Sequence, residues 1–281
     1  MASDRAKLFV GVSANGEDAE SQAVLEYTVR ENSSIPVDIE WMKQSKNSTS
    51  FWYSAWAETR AWDTSLWATP FSGFRWGIPA FCNFEGQAIY CDSDFWFPGD
   101  LAELWEQEFE PGKVMMGKGG EESWRTCCVK WNCEAAKDHV LPLDRLRYMA
   151  DAHKRMINYY MNRRDVVQVF EGNWNCIDME DYVDVRDPEI KAHHYSDMGS
   201  QVHGKYAAPR LAAAGQKHWF DGVVRPHWRA DYQKEFDMLL TKAEEAGYTV
   251  QSYVPDDLFG EYRKESQEKM GSTITAHRWS R

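Results

Sequence analysis

The stretch that decides the fold reads QAIYCDSD and runs from Gln87 to Asp94. An apolar run within it ends in two carboxylates, Asp92 and Asp94, which are separated by one serine. Side chains two residues apart point to the same face of an extended strand, so both carboxylates can reach one cation, on the strand or where it opens into a loop. Carboxylate oxygens suit a hard divalent cation, which in turn neutralises a diphosphate. The pattern predicts a metal-assisted enzyme that uses a nucleotide-activated substrate.

The chain before this stretch predicts a βαβ unit. Lys7–Ser13 reads as a buried opening strand, and apolar residues recur at helical spacing from Asp18 to Val29. After a break at Ser33–Pro36, residues 37–41 alternate between apolar and acidic side chains, as a half-buried strand does. Strand, helix and strand with short connections indicate a parallel sheet, so the expected fold class is α/β.

The chain after this stretch predicts further elements around the same sheet. Leu143–Tyr160 has the strongest amphipathic spacing and is predicted to form one helix. Gly117–Gly120 is expected to be a flexible loop between two strands. The other predictions are short helices at 71–81 and 100–106, a late helix around 236–243 that Gly247 closes, and strands at 87–91, 114–116, 123–131, 166–169 and 190–194.

Bulk composition restricts the class of protein. The chain has 281 residues, of which 43% are hydrophobic, and this is enough for a sizeable core in one or two domains. The formal net charge of -12 disfavours a general nucleic-acid binder, so no stable nucleic-acid binding is expected. No apolar run approaches the roughly 20 residues that span a bilayer, and the first residues lack the apolar core of a signal peptide. The expectation is a cytoplasmic protein without a transmembrane segment.

Aromatic residues are abundant, with 14 tryptophans in the chain. Core packing accounts for most single tryptophans, because the ring is large and apolar. The segment Phe51–Trp67 is more aromatic than an ordinary solvated loop. We expect it to form a lid or a platform for an acceptor, built from Trp52, Tyr53, Trp56, Trp62 and Trp67.

Four stretches together carry a resemblance to a known family. They are Phe9–Ser13, Thr69–Pro79 with its Arg75, Ala88–Asp94 followed by Asp100–Trp105, and His194–Met198 with Lys205 downstream. In this combination the chain resembles the GT-A glycosyltransferases, nearest to glycosyltransferase family 8 and its bacterial relatives. An isolated Asp-x-Asp occurs by chance in many proteins. Its position after a buried strand, with an arginine helix before it and a histidine far downstream, is more specific.

The resemblance implies a Rossmann-like GT-A fold, with a mixed, mostly parallel sheet flanked by helices and an elaborated C-terminal part. It implies a single catalytic domain over 1–281. In that domain residues 7–135 would bind the nucleotide, 136–250 would complete the metal and acceptor sites, and 251–281 would form a peripheral tail. The end of the opening strand would cup the nucleotide through Phe9, Gly11, Val12 and Ser13.

The same resemblance implies a metal site that would hold Mn²⁺ or Mg²⁺, with a nucleotide sugar as co-substrate. Its ligands would be Asp92, Asp94 and His194. Adjacent strand residues face opposite sides, so only one of His193 and His194 is expected to see the metal. The resemblance favours His194, because Tyr195 follows it as the family's aromatic residue does.

The resemblance also implies contacts with donor and acceptor. The donor would be contacted by Arg75, Ser93, His203 and Lys205. Asn175 and Asp178 would serve catalysis by contacting the sugar or the acceptor, and Asp144 is a weaker candidate.

Two stretches depart from the family pattern. The late motif reads His-Gly-Lys at 203–205 instead of Gly-x-x-Lys-Pro-Trp, while Pro226 and Trp228 stand elsewhere. Arg125–Cys128 replaces the family's Asn-Ala-Gly strand on the acceptor side. The metal site therefore carries over better than the acceptor site. The acceptor stays open among a glycan, a lipid-linked sugar, a protein and a modified base.

The implied reaction is the transfer of a sugar from a nucleotide-diphosphate sugar, expected to be a UDP-sugar, with retention of anomeric configuration. No carboxylate stands out as a covalent nucleophile, so a front-face mechanism is the hypothesis. Two alternatives stay open. One is a carbohydrate-binding protein without catalysis, and the other is a nucleotidyltransferase, which would usually need two metals and more acidic ligands.

Overall fold

A six-stranded sheet forms the centre of the molecule. The computed structural model describes residues 5–55, 58–119 and 124–262. Its strands are β1 Ala6–Gly11, β2 Val37–Met42, β3 Gln87–Asp92, β4 Phe95–Trp96, β5 Met115–Gly119, β6 Trp124–Asn132, β7 Val167–Val169, β8 Cys176–Ile177 and β9 His193–His194. The order in the central sheet is β2-β1-β3-β6-β5-β7, and β6 alone runs against the others. A mixed, mostly parallel α/β sheet is therefore confirmed.

Helices cover the sheet, and a small second sheet of order β4-β9-β8 lies beside it. The α-helices among the described residues are α1 Ala19–Asn32, α2 Ile78–Phe81, α3 Leu101–Trp105, α4 Leu143–Tyr148, α5 Ala152–Tyr160, α6 Gly204–Ala213 and α7 Ala230–Glu245. Helix α1 packs against α7 through Ala23, Val24 and Phe236. The C-terminal helix α7 therefore covers a helix of the N-terminal βαβ unit.

The opening strand is buried on both faces, as parallel strands covered by helices are. Phe9 and Tyr90 enter one hydrophobic cluster, whereas Leu8, Val10 and Ile89 enter the cluster on the opposite face. Because β1 lies between β2 and β3, the strand order reverses at β1. In such sheets ligands bind outside the carboxyl ends of the strands at this reversal.

The register of the sheet brings the Asp-x-Asp stretch to that position. Gly11, the last residue of β1, pairs with Asp92, the last residue of β3. The chain then turns at Ser93–Asp94 into β4, which pairs antiparallel with β9. The predicted strand and its carboxylates therefore end at the reversal point.

The long amphipathic helix predicted over 143–160 is wrong in its continuity. The structure has two helices there, α4 and α5, separated by an extended residue, Met149. The carbonyl of Arg147 accepts the N–H of Asp63 at 2.7 Å, so it is not available to continue the helix. The spacing of apolar residues was read correctly, but a tertiary hydrogen bond divides the element.

Two shorter predictions also change. Gly117–Gly119 belongs to β5 instead of a flexible loop, and the register with β6 shifts between Gly117 and Lys118. Gly120 lies outside the described residues. The strand predicted at 190–194 shrinks to β9, because Ile190 makes only an isolated bridge with Asn173.

The aromatic segment 51–67 packs into the core instead of forming an exposed lid or platform. Trp52, Trp62 and Trp67 are buried, and their rings contact Phe74. Gly77 permits this packing, since a Cβ there would lie 2.7 Å from the Trp62 ring. Trp56 lies outside the described residues. Burial of these rings accounts for the aromatic composition.

The segment predicted as a peripheral tail is in contact with the sheet as far as the structure describes it. A 3-10 turn at Val250–Tyr253 packs on α1, and the chain then crosses the turn between β1 and α1. The remainder of the predicted tail lies outside the described residues. Among the helices of the described chain, none has the length and apolar character needed to cross a membrane.

Candidate active site

A cavity of about 190 Å³ lies at the reversal point between β1 and β3. Residues of the first half that line it include Asp18, Asp92, Ser93 and Asp94, and residues of the second half include His194, Gln201 and Trp219. The predicted metal ligands therefore come together, although about a hundred residues of chain separate them. One ligand atom from each of Asp92, Asp94 and His194 lies within 4.8 Å of the other two.

Asp92 is held on one side by two donors. Its Oδ1 accepts a hydrogen bond from Arg75 at 2.8 Å and a further one from the Tyr90 hydroxyl. Arg75 is itself buried and donates to the carbonyls of Ser72 and Thr126. Arg75 was predicted to contact the donor, but here its guanidinium is engaged by protein acceptors and orients Asp92.

Asp94 and His194 face each other across the small sheet. Phe95 pairs with His194 between β4 and β9, and the two rings stack at 4.3 Å between centroids. This places His194 Nε2 3.3 Å from Asp94 Oδ1. The other carboxylate oxygen, Asp94 Oδ2, accepts a hydrogen bond from Gln201 at 2.7 Å.

The far side of the His194 ring fixes which nitrogen carries the proton. His194 Nδ1 lies 3.2 Å from Asn175 Oδ1, an amide oxygen that only accepts. The Asn175 amide nitrogen donates to Cys127 Sγ at 3.1 Å, which keeps the amide in this orientation. In the neutral ring Nδ1 therefore carries the hydrogen, and Nε2 directs a lone pair at Asp94.

In this arrangement two acceptor atoms, Asp94 Oδ1 and the neutral His194 Nε2, face each other. Asp94 Oδ1 is buried and has no hydrogen-bond partner among the described residues. A buried, unsatisfied carboxylate oxygen is costly unless a cation or a proton lies beside it. Without a metal, a proton on His194 Nε2 satisfies Asp94 Oδ1. Burial lowers the pKa of His194, but surrounding negative charge outweighs it and raises this pKa well above its usual value. Reciprocally, burial would raise the pKa of Asp94, but His194 lowers it. The three groups fit a divalent cation.

The adjacent histidine faces away from the carboxylates. His193 Nδ1 lies 2.9 Å from the Tyr232 hydroxyl, and its ring packs on Trp96. The choice of His194 over His193 therefore agrees with the alternation along β9.

Asp178 supports the wall of the cavity from behind. It is fully buried; Oδ1 accepts the Ser196 N–H at 3.0 Å, and Oδ2 lies 2.9 Å from His227 Nε2. Asn175 is also buried. Both residues were predicted to contact sugar or acceptor, but here they contact protein groups and position His194 and Ser196.

Lys205 does not reach the cavity. It lies on the first turn of α6, and its Nζ forms an ion pair with Asp237 at 2.6 Å at the protein surface. His203 precedes the helix and is buried beside Asp18 and His218. The sequence could not show this, because the direction of each side chain depends on how α6 packs.

Asp18, His203 and His218 form a second group whose ligand atoms lie within 4.8 Å of one another. Burial raises the pKa of Asp18 to about 7, against hydrogen bonds from the N–H and hydroxyl of Ser13. Burial also lowers the pKa of His203 to about 3. His218 Nδ1 accepts the Phe220 N–H at 3.0 Å. In the neutral ring the lone pair of Nδ1 is therefore occupied and Nε2 carries the proton, which leaves neither nitrogen free to ligate a metal.

Of the remaining predicted residues, one lines the cavity and the others do not. Ser93 lines the cavity. The residues predicted to cup the nucleotide, Phe9, Gly11, Val12 and Ser13, are buried. Gly11 lets Phe71 approach, since a Cβ there would lie 2.6 Å from that ring. Asp144 lies in the first turn of α4, outside the cavity lining.

The sequence analysis missed several residues at or near the site, and four of them are Tyr90, Cys127, Gln201 and Trp219. Tyr90 could have been found, because it stands two residues before Asp92 and shares its face of the strand. The other three lie beside the site only through tertiary packing, and no local pattern marks them.

Comparisons with known proteins agree with this fold. No family model matches the chain, and no curated protein matches it in sequence. The chain is similar to the bifunctional glycosyltransferase WbbM, with a TM-score of 0.52 and 11% identity over 87% of this chain and 52% of that one. It is also similar to the galactosyltransferase LgtC, solved with donor and acceptor sugar analogues, with a TM-score of 0.50 and 9% identity over 86% of this chain and 100% of that one. The chain has the GT-A fold.

A third solved structure is similar to the chain at a comparable TM-score and identity. The glycosyltransferase GlyE of Streptococcus pneumoniae has a TM-score of 0.50 and 12% identity, over 87% of this chain and 64% of that one. The chain thus spans about half of WbbM and less than two thirds of GlyE. At these identities the likeness establishes the GT-A fold predicted from the sequence, while assignment to family 8 stays a prediction.

Proposed function

We propose that this protein is a metal-dependent glycosyltransferase that moves a sugar from a nucleotide-diphosphate sugar to an acceptor. One observation carries the proposal: at the reversal point of a GT-A sheet, the unsatisfied Asp94 Oδ1 faces the lone pair of His194 Nε2, with Asp92 beside them. A divalent cation resolves this arrangement, and a diphosphate supplies its remaining oxygen ligands.

The ligands in this proposal are Asp92, Asp94 and His194, and Mn²⁺ suits the mixed nitrogen and oxygen set, with Mg²⁺ as the alternative. When bound, the metal would stabilise the negative charge that develops on the leaving diphosphate. Arg75 and Tyr90 hold Asp92 Oδ1, which leaves Oδ2 for a ligand.

The supporting residues fix ligand orientation. Asn175 holds the His194 tautomer and Gln201 holds Asp94. With the contacts of Arg75 and Tyr90 to Asp92, all three ligands are oriented before the donor arrives. Such outer contacts commonly change metal affinity by about 10- to 100-fold when they are removed. Asn175 and Asp178 are therefore proposed as positioning residues.

We propose a UDP-sugar as donor and retention of configuration. Among the described residues a separate carboxylate nucleophile does not stand out. Asp197 lines the cavity, but its oxygens accept hydrogen bonds from Gly199 N and Ser200 Oγ. Asp18 also lines it, and its Oδ2 accepts from the N–H and hydroxyl of Ser13. The front-face route, in which the leaving phosphate takes the acceptor proton, requires no such group. The acceptor remains one of a glycan, a lipid-linked sugar, a protein or a modified base.

The test is a panel of nucleotide sugars incubated with the protein and Mn²⁺, with release of nucleoside diphosphate as the readout. We expect release from one donor, loss of release in EDTA, and loss in Asp94→Asn. Asp38→Asn is the matched control, because Asp38 is an exposed surface carboxylate paired with Arg5.

Three outcomes would contradict the proposal. Full activity of Asp94→Asn would remove the metal site from the mechanism. Release of pyrophosphate instead of nucleoside diphosphate would indicate nucleotidyl transfer. Sugar binding that needs neither metal nor donor would indicate a carbohydrate-binding protein.

A further inference from the structure

The cavity at the reversal point is too small for the proposed donor. Its volume is about 190 Å³, whereas small-molecule sites usually measure about 300–1,000 Å³. A nucleotide sugar needs an extension of this cavity along the carboxyl ends of the neighbouring parallel strands. In this structure the chain's own residues 254–262, which we call the strap, lie at the ends of β1 and β2.

The strap contacts the segment that follows β1. The Tyr262 hydroxyl oxygen accepts hydrogen bonds from the N–H groups of Ala14 at 2.7 Å and Asn15 at 3.1 Å. The same hydroxyl donates to Glu17 Oε2 at 3.1 Å. Tyr262 therefore occupies the Ala14 N–H and shares the Asn15 N–H with Glu17 Oε2, which lies 3.0 Å from the Asn15 nitrogen. Both donors lie immediately beyond Ser13, in the turn that leads to the cavity residue Asp18.

Further contacts keep the strap in place. Asn15 and Gly260 exchange two hydrogen bonds, Asn15 Nδ2 to Gly260 O and Gly260 N to Asn15 Oδ1, each at 3.0 Å. Lys46 Nζ, beyond the end of β2, donates to the carbonyl of Leu258 at 3.2 Å. Gly16 lets the strap approach, since a Cβ there would lie 2.9 Å from Pro255 Cδ.

Two backbone N–H groups that converge on one oxygen are a recognition point for an acceptor on a flat ring. A phenol presents such an oxygen, and so does a nucleobase carbonyl. A side chain that is supplied by the chain itself competes with any free ligand for these donors.

We propose that the strap is an autoinhibitory closure of the nucleoside end of the site, in which Tyr262 takes the place of the donor's base on Ala14 and Asn15. This inference rests on the proposed function, because it assumes that a nucleoside diphosphate binds at Asp92 and Asp94. Binding of the nucleotide then requires displacement of the strap, and the apparent Kd is weakened by the fraction of molecules that are closed.

The test compares Tyr262→Phe with wild type in the full-length chain. The substitution keeps the ring and removes the oxygen that binds Ala14, Asn15 and Glu17, so it favours the open strap. Titration calorimetry with UDP and Mn²⁺ should show binding that is about three- to tenfold tighter than in wild type. Tyr253→Phe is the matched control: it removes a hydroxyl that donates to Glu26 at 3.0 Å, before the strap begins. We expect its Kd to stay within about twofold of wild type.

Hydrogen exchange provides an independent readout. Addition of UDP and Mn²⁺ to wild type should speed exchange of the amides in 255–262. Two results would overturn the strap proposal and leave the proposed function intact. One is UDP binding by Tyr262→Phe that is equal to or weaker than that of wild type, and the other is slower amide exchange in the strap when UDP is added. Absence of UDP binding by wild type, Tyr262→Phe and Tyr253→Phe alike would overturn the strap proposal together with the proposal that the donor is a UDP-sugar.

Discussion

The described part of the chain contains two groups of three carboxylate and imidazole side chains whose ligand atoms are similarly close together. In each of them, Asp92–Asp94–His194 and Asp18–His203–His218, the ligand atoms lie within 4.8 Å of one another. They differ in how the two nitrogens of a histidine ring are occupied. The comparison teaches that proximity of donor atoms is not sufficient for a metal site; the proton on each ring must also be in the right place.

The contrast lies in one hydrogen bond at each site. At His194 the far nitrogen faces an amide oxygen, so it carries the proton and the near nitrogen is free. At His218 Nδ1 accepts a backbone N–H, so the proton lies on the other nitrogen. The hydrogen bond to one ring nitrogen determines the tautomer, and the tautomer determines whether the other nitrogen can bind a metal.

The largest expected effect is loss of metal-dependent turnover in His194→Asn. Asparagine cannot reach the position of Nε2, so nucleoside diphosphate release should fall by more than about 100-fold. His218→Asn is the control, because its amide oxygen can replace Nδ1 as acceptor of the Phe220 N–H. Both rates are measured with the same donor and Mn²⁺. A comparable loss in His218→Asn would break the distinction between the two groups.

The next effect concerns the residue that fixes the tautomer. Asn175→Leu removes the acceptor of the His194 Nδ1 proton, and Mn²⁺ affinity should weaken by about 10- to 100-fold. Asn175→Asp keeps an acceptor there and should bind Mn²⁺ within a few-fold of wild type or more tightly. Titration calorimetry measures both affinities, and circular dichroism confirms that the fold persists. Wild-type affinity in Asn175→Leu would show that the tautomer is set by another group.

A smaller effect is the pH dependence of stability caused by Asp18. Its pKa is about 7 in the folded chain, against about 3.9 for an unfolded aspartate. As pH rises, the Asp18 carboxyl ionises in the unfolded chain before it ionises in the folded chain. The stabilisation that Asp18 contributes is therefore complete at low pH and is lost as pH rises to about 7. Between pH 5 and pH 8 the contribution should fall by about 2–3 kcal/mol.

Asp18→Asn should remove that slope. Urea unfolding at the two pH values in EDTA measures it for wild type and the variant. The wild type should lose more stability than the variant on going to pH 8. An unchanged slope in Asp18→Asn would place the titration elsewhere, and a destabilisation of Asp18→Asn seen only with added metal would indicate a second metal site.

The smallest effect is expected from Lys205→Gln. The Nζ group pairs with Asp237 at the surface, and exposed pairs contribute about 0–1 kcal/mol to stability. Turnover should change by less than about twofold. A large rise in the KM for the donor would show that α6 moves to bring Lys205 to the diphosphate.

Prediction from sequence succeeded where the signal was local. The βαβ unit, the strand that ends at Asp92 and the position of Asp92 and Asp94 at its end follow from side-chain alternation and from short connections. It was less successful where an element receives contacts from elsewhere. The helix over 143–160 is interrupted where Asp63 donates to the Arg147 carbonyl. Trp52, Trp62 and Trp67 enter the core, where the missing Cβ of Gly77 leaves room for the Trp62 ring.

The sequence by itself determined the α/β class with a parallel sheet, and it placed the two carboxylates at the end of a buried strand, because periodicity along a strand sets which side chains share a face. The GT-A type of fold followed from the resemblance to a family. The tertiary structure alone decided that Arg75 orients Asp92, that Lys205 lies at the surface, and that Tyr262 covers the end of β1. These outcomes depend on how distant segments pack, and hydrogen bonds between residues far apart in the chain leave no period in the sequence.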